Sequence, residues 1–157
     1  MILCCGEALI DMIPAPTVLG PEGFIPRSGG AIFNTAIGLG RLGQRTGLLS
    51  GVSTDVFGQQ LVADLRASNV DTRNLILSDR PTTLAFVKLT NGHASYSFFD
   101  ENSAGRMIAT DDLPQDIDDV STLFFGGISL ACDPGAETYL HFAERHAADC
   151  AVMVDPN

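Results

Sequence analysis

Basic residues are scarce in this chain: nine Lys and Arg stand against 19 Asp and Glu, for a formal net charge of −10 over 157 residues. A surface this acidic repels phosphate backbones and anionic lipid, which disfavours nucleic acid and membrane as partners. It also repels nucleotides at long range, so any nucleotide site needs local donors. No apolar run approaches the ~18 residues of a membrane span. The opening MILCCGEALIDMI lacks a basic n-region and is interrupted by Glu7 and Asp11, unlike a signal peptide. The four cysteines form no C-x-x-C, and packed free thiols in a cytoplasmic protein are expected rather than disulfides or zinc. The three histidines make no metal constellation: His141 and His146, five apart on a helical stretch, share no face and are expected at the surface. No GK[ST] phosphate loop, Ser/His/Asp arrangement, internal repeat or low-complexity segment occurs.

What is present can build a core. Apolar residues make up 45% of the chain, and its length suits a single domain. Residues 2–5 and 8–13 read as short strands meeting at Gly6, 14–23 as a Pro- and Gly-rich loop, and 24–26 as a short extended piece. Helical spacing covers 31–42, through Ile32, Ala36 and Leu39, and again 56–67, with Leu61, Val62 and Leu65 inward. Asn69 suits the left-handed residue that ends the second helix. Strands are expected over 46–52, 122–125 and 151–154, with a helix from 134 to about 148. This alternation predicts an α/β domain with a mainly parallel sheet.

One segment breaks the alternation. Asn91-Gly92 separates two β-prone runs, 83–90 and 93–99, and predicts a type I′ hairpin. A two-residue turn pairs Val87 with Tyr96 and Ala85 with Phe98 on one face. Lys88/Ser95 and Phe86/Ser97 fall on the other. Neither face is fully polar, so the hairpin is expected to act as a small lid covered on both sides.

Three features carry candidate chemistry. Gly38-Leu-Gly40-Arg-Leu-Gly43 matches the G-x-G-x-x-G dinucleotide fingerprint, but it ends a helix and precedes a strand, the reverse of the required context. Gly38 and Gly40 are read instead as packing glycines and Gly43 as a helix cap. Gly29-Gly30 directly precedes a helix, so backbone and free N–H groups can approach a ligand, with the Asn34 amide in the first turn. The alternative is a plain loop followed by a polar residue. Asp11 lies among Leu9, Ile10, Met12 and Ile13. It is either a solvated strand end or a carboxylate placed to accept two adjacent hydroxyls.

Taken with their neighbours, these segments resemble a family. GEALID (6–11), GGAIFNTAIGLGRLG (29–43), GVSTDVFG (51–58) and LRASNVD (65–71) resemble the N-terminal signature of the PfkB, or ribokinase-like, carbohydrate kinases. YSFFDENSAGRM (96–107) is similar to the segment after the lid strand in fructokinases and ketodeoxygluconate kinases. Asp155-Pro-Asn157 is similar to the start of the family's D-x-N-x-R stretch. The resemblance implies a doubly wound α/β fold with a small β lid, near 14–27 and 83–100, and transfer of the ATP γ-phosphoryl to a sugar hydroxyl with Mg²⁺. It implies that Asp11 holds sugar hydroxyls, that Gly29 and Gly30 line the sugar site, that Asn34 completes the polar shell, and that Phe98 packs on the sugar. It allows a homodimer through the lid. The family's GAGD motif, whose aspartate is the base, has no counterpart, since Pro134-Gly135-Ala136-Glu137 lacks the pattern. The expectation is therefore the N-terminal, sugar-binding half of a kinase, with the ATP-binding and catalytic part absent. The alternative is a non-catalytic sugar-binding or interaction module.

Many fructokinases and ketodeoxygluconate kinases that share this lid segment carry arginine where this chain has Asp100. A carboxylate there repels a substrate carboxylate by about 3 kcal/mol at ~5 Å and an effective dielectric of about 20. That implies a neutral sugar, fructose first, with ribose, nucleosides and ketodeoxygluconate as alternatives, unless Asp100 points to solvent and reads nothing.

Overall fold

A computed structural model describes residues 1–90 and 93–156. Two sheets organise it. The main sheet is parallel throughout and runs β10-β9-β1-β4-β5, with β6 also beside β4. Its strands are β1 (Ile2–Cys5), β4 (Thr46–Ser53), β5 (Val70–Asp71), β6 (Leu75–Ser78), β9 (Thr122–Gly126) and β10 (Ala151–Asp155). Side chains alternate across it, so Cys4 and Leu48 join one buried cluster while Leu3, Cys5 and Leu49 join the other. Helices α1 (Ala31–Arg41) and α2 (Val56–Ala67) cover the first cluster, and α3 (Gly135–His146) covers the second. Helices on both faces make the sheet doubly wound, as expected.

The second sheet joins the expected hairpin to two further strands drawn from residues 9–29. Strands β2 (Leu9–Pro16), β3 (Glu22–Gly29), β7 (Leu84–Thr90) and β8 (His93–Phe99) lie in the order β3-β2-β7-β8. Half of the stretch 14–23 is thus strand, with the turn confined to 17–21. Prolines had argued for a loop, but β2 runs beside β7 only over Ile10–Met12, leaving that edge open at Pro14 and Pro16. The β7–β8 register matches the expectation pair by pair, from Ala85 opposite Phe98 to Lys88 opposite Ser95. The Asn91-Gly92 turn lies outside the described residues, as does Asn157.

Smaller departures have local causes. Strands β5 and β6 were not anticipated: β4 is long enough to pair with β5 at Thr46–Gly47 and with β6 at Ser50–Ser53. His146 is buried against Phe142, at a ring distance of 4.8 Å, rather than at the surface. It continues the inward stripe of Tyr139 and Phe142 on α3. Cys4, Cys5 and Cys150 are buried free thiols, and burial pushes Cys4 up to about 12. Asn69 is left-handed, with φ 59°, as read from the sequence. Among the described residues no helix is long and apolar enough to cross a membrane.

Asp55 fastens the second sheet to the first. Its Oδ1 accepts from the N–H groups of Phe57 (3.0 Å) and Gly58 (2.8 Å), capping α2, and from the Thr82 hydroxyl (2.7 Å). Its Oδ2 accepts from the Thr82 N–H at 2.9 Å, just before β7. Burial alone would raise its pKa, but these hydrogen bonds outweigh it and hold the carboxyl below its ordinary 3.8. A depressed folded value adds stability above the unfolded pKa and loses it as pH falls through the folded one. Asp55→Ala should cost about 1–2 kcal/mol at pH 7. Urea unfolding at pH 7 and below 3.8 should show that deficit shrinking in acid.

Candidate functional site

In open parallel sheets, ligands bind beyond the carboxyl ends of the strands, where the chain order reverses. Here the reversal lies between β1 and β9, because β4 lies on one side of β1 and β9, with β10 beyond it, on the other. Glu7 follows β1 and Ile128 follows β9, and both line a cleft of about 340 Å³. The second sheet supplies Asp11, Tyr96 and Phe98 to the same cleft, and the start of α1 supplies Gly30, Ala31 and Asn34.

Of the residues singled out from sequence, Asp11, Gly30, Asn34 and Phe98 therefore converge. Gly29 stands directly behind: a Cβ there would sit 2.1 Å from Asp11 Oδ2, so the glycine leaves room for that carboxylate. Asp11 has no hydrogen-bond partner among the described residues, and Arg27 opposite it on β3 makes no ion pair with it. Burial pushes its carboxyl above the ordinary 3.8. An unpartnered carboxylate in a cleft is poised to accept donors from a ligand.

Glu7 was missed in the sequence. Its backbone carbonyl accepts from Phe33 N–H and its Oε1 from Ile32 N–H, both at 3.2 Å, so it holds the first turn of α1. Its other oxygen accepts from the Ser129 hydroxyl, tying β1 to the loop after β9. Gly30, the N-cap, carries no side chain to do this. The signal was that vacant cap, with a carboxylate two residues beyond β1. Tyr96 was legible in the hairpin register, and it stacks on Phe98 with centroids 6.1 Å apart and planes at 19°.

Two readings need correction. Asp100 is not an unpaired acidic wall: its Oδ2 lies 3.0 Å from Arg106 Nη1. A turn through Asn102 (φ 63°), closed by Ser103 N–H to the Asp100 carbonyl at 3.0 Å, brings Arg106 back onto it. The pair carries no net charge, so the repulsion expected from Asp100 is cancelled at its source. The site's negative charge rests on Glu7 and Asp11 instead. Second, only Gly40 of the fingerprint-like glycines is a close-packing one, since its Cβ would meet the Ser68 carbonyl at 2.2 Å. Gly38 meets nothing within 4 Å, and Gly43 ends the helix with φ +79°. No phosphate cradle is built there.

A parallel sheet wound on both faces, with a separate mixed sheet over its switch point, is the ribokinase-like fold. The crystal structure of the fructokinase from Xylella fastidiosa has it too, with a TM-score of 0.91 at 30% identity over 99% of this chain and 52% of that one. That enzyme is also known with bound ATP, at a TM-score of 0.89, 29% identity, and coverage of 99% and 51%. Residues 1–157 match the pfkB family carbohydrate kinases, and the chain belongs to that family. The fructokinase of Rhizobium leguminosarum bv. trifolii is 55% identical over 157 residues, 100% of this chain and 48% of the relative. The chain thus spans about half the length of the curated relatives it matches.

Proposed function

We propose that residues 1–157 form the sugar-binding part of a kinase that transfers the γ-phosphoryl of ATP to a hydroxyl of a neutral sugar, with fructose first. The observation that carries this reading is the unpartnered Asp11 carboxylate, half-buried in the cleft under Tyr96 and Phe98. Asp11 accepts two adjacent hydroxyls, the Asn34 amide meets a third, and Phe98 covers the apolar ring face. Gly29 and Gly30 let the chain approach closely enough for this. Glu7 and Asp11 together disfavour an anionic sugar, and the 55% identity to a fructokinase supports fructose.

Nucleotide and Mg²⁺ are a different matter. Among the described residues no group of three His, Cys, Asp or Glu could hold a metal. These residues offer no set of ligands that fits Mg²⁺. In this reading both bind on the half of the kinase that the relatives have beyond the matched region. Buried free thiols support a reducing, cytoplasmic setting. A homodimer through the lid is supported by the edge-on rings of Phe24, Phe86 and Phe99, at 5.0 and 5.3 Å, of which Phe24 and Phe99 are exposed.

The test is ADP release by the complete gene product with fructose, ribose, adenosine, ketodeoxygluconate and fructose 1-phosphate. Fructose should give the highest kcat/KM, and residues 1–157 alone should show no sugar-dependent turnover. Preference for the acid or the phosphosugar would overturn the neutral-sugar reading.

A further inference from the structure

The cleft does not end at Phe98. Beyond it lies a narrow recess of about 50 Å³ that shares Glu7, Leu9, Phe98 and Ile128 with the cleft and is bounded at its far side by Asp100, Arg106 and Cys132. A water-sized group needs roughly 10–15 Å³ by this measure. At about 50 Å³ the recess holds a few such groups, enough for one hydroxymethyl arm and too few for a second ring.

The far wall is rigidly held. Arg106 Nε donates to the Asp133 carbonyl at 2.8 Å and Nη1 to Asp100 Oδ2 at 3.0 Å. The Arg106 N–H donates to Ser103 Oγ at 3.3 Å, and that hydroxyl accepts from Thr83 Oγ1 at 2.7 Å. The start of α3 packs on the same backbone, where a Cβ at Gly135 would lie 2.8 Å from the Arg106 carbonyl. The other guanidinium N–H groups and Asp100 Oδ1 have no partner among the described residues. A donor and an acceptor are thus offered side by side, with no net charge.

That combination matches a hydroxyl, which gives one hydrogen bond and takes others. It does not match a carboxylate, which can only accept and would find the Arg106 charge already taken up by Asp100. The apolar walls, Leu9, Phe98 and Ile128, suit the methylene that carries such a hydroxyl. We propose that the Asp100–Arg106 pair is the specificity-determining element of the cleft, reading a terminal hydroxymethyl arm of a neutral ketose at the end remote from Asp11. This rests on the sugar-binding reading above.

The experiment measures binding by titration calorimetry to the complete gene product, with fructose, its 1-deoxy and 6-deoxy derivatives, and ketodeoxygluconate. One deoxy sugar should bind the parent at least tenfold more weakly than fructose, and Arg106→Gln should bind that sugar and fructose alike. Asp100→Asn, which releases the Arg106 charge, should raise the ratio of ketodeoxygluconate to fructose affinity at least tenfold. Asp100→Ser is the second variant, and a melt establishes that each is folded. A ratio within twofold of the parent's in both Asp100 variants, or Arg106→Gln still discriminating against the deoxy sugar, overturns the pair's role. Asp11→Ala separates the two ideas. If the parent binds no sugar, or binds fructose equally well without Asp11, the sugar-site reading itself fails.

Discussion

Asp11→Ala in the complete gene product is expected to weaken fructose binding by roughly 2–4 kcal/mol, about 30- to 1000-fold, the cost of losing two charge-assisted hydrogen bonds. The same substitution should not destabilise the fold. A carboxyl whose folded pKa is raised binds its proton more tightly in the native state, so it favours folding at low pH and opposes it as pH rises through that value. Burial without a partner is the cause of the raised pKa. At pH 7, then, removing the carboxylate should leave urea stability equal or slightly higher while affinity collapses. A structural aspartate such as Asp55, with four hydrogen bonds from its neighbours, behaves the opposite way. Titration calorimetry and urea unfolding of the same preparation distinguish them. Fructose affinity within twofold of the parent would return Asp11 to a purely structural role.

The contrast between these two aspartates shows where sequence reasoning reached and where it stopped. Periodicity placed α1, α2 and α3 within a few residues because each buries a stripe at three- and four-residue spacing. Alternation within β7 and β8 placed Phe98 and Tyr96 on one face, and the register followed from a two-residue turn. These are local rules, and the chain obeys them locally. Asp11, Gly30 and Asn34 were legible as chemistry because each breaks its local pattern. Glu7 interrupts the apolar opening but its role is set elsewhere, and Arg106 breaks nothing locally. Glu7 matters because Ser129, 122 positions away, and the start of α1 reach it. Arg106 matters because a left-handed Asn102 turns it back onto Asp100. Such tertiary pairings are set by the crossing of distant elements. The same holds for the end of β2, where Pro14 and Pro16 read as loop until the open edge beyond the short pairing with β7 is known.

Gly30→Ala should damage the fold and the site together, while Gly38→Ala, eight residues on, should do neither. Gly30 has φ 103° and ψ 139°, a region that residues with a Cβ adopt only under strain of roughly 1–3 kcal/mol. The added methyl would also stand 2.9 Å from the Glu7 carbonyl oxygen and 3.1 Å from Glu7 Cγ. That carbonyl is the acceptor for Phe33 N–H, so it cannot retreat without releasing the first turn of α1. If α1 moves instead, Asn34 shifts away from Asp11, and the Ile32 N–H pulls away from Glu7 Oε1. Either route loosens three walls of the cleft at once. The expected result is a loss of about 1–3 kcal/mol in urea unfolding and a fall in fructose affinity of more than about tenfold, near 1.4 kcal/mol. Gly38 is helical and exposed, with nothing within 4 Å of an added Cβ. Alanine there should raise stability by about 0.5–1 kcal/mol, the propensity difference between the two residues in a helix, and leave affinity unchanged. Equal behaviour of the two variants would show that the Gly30 backbone is not what holds α1 and Glu7 at the cleft.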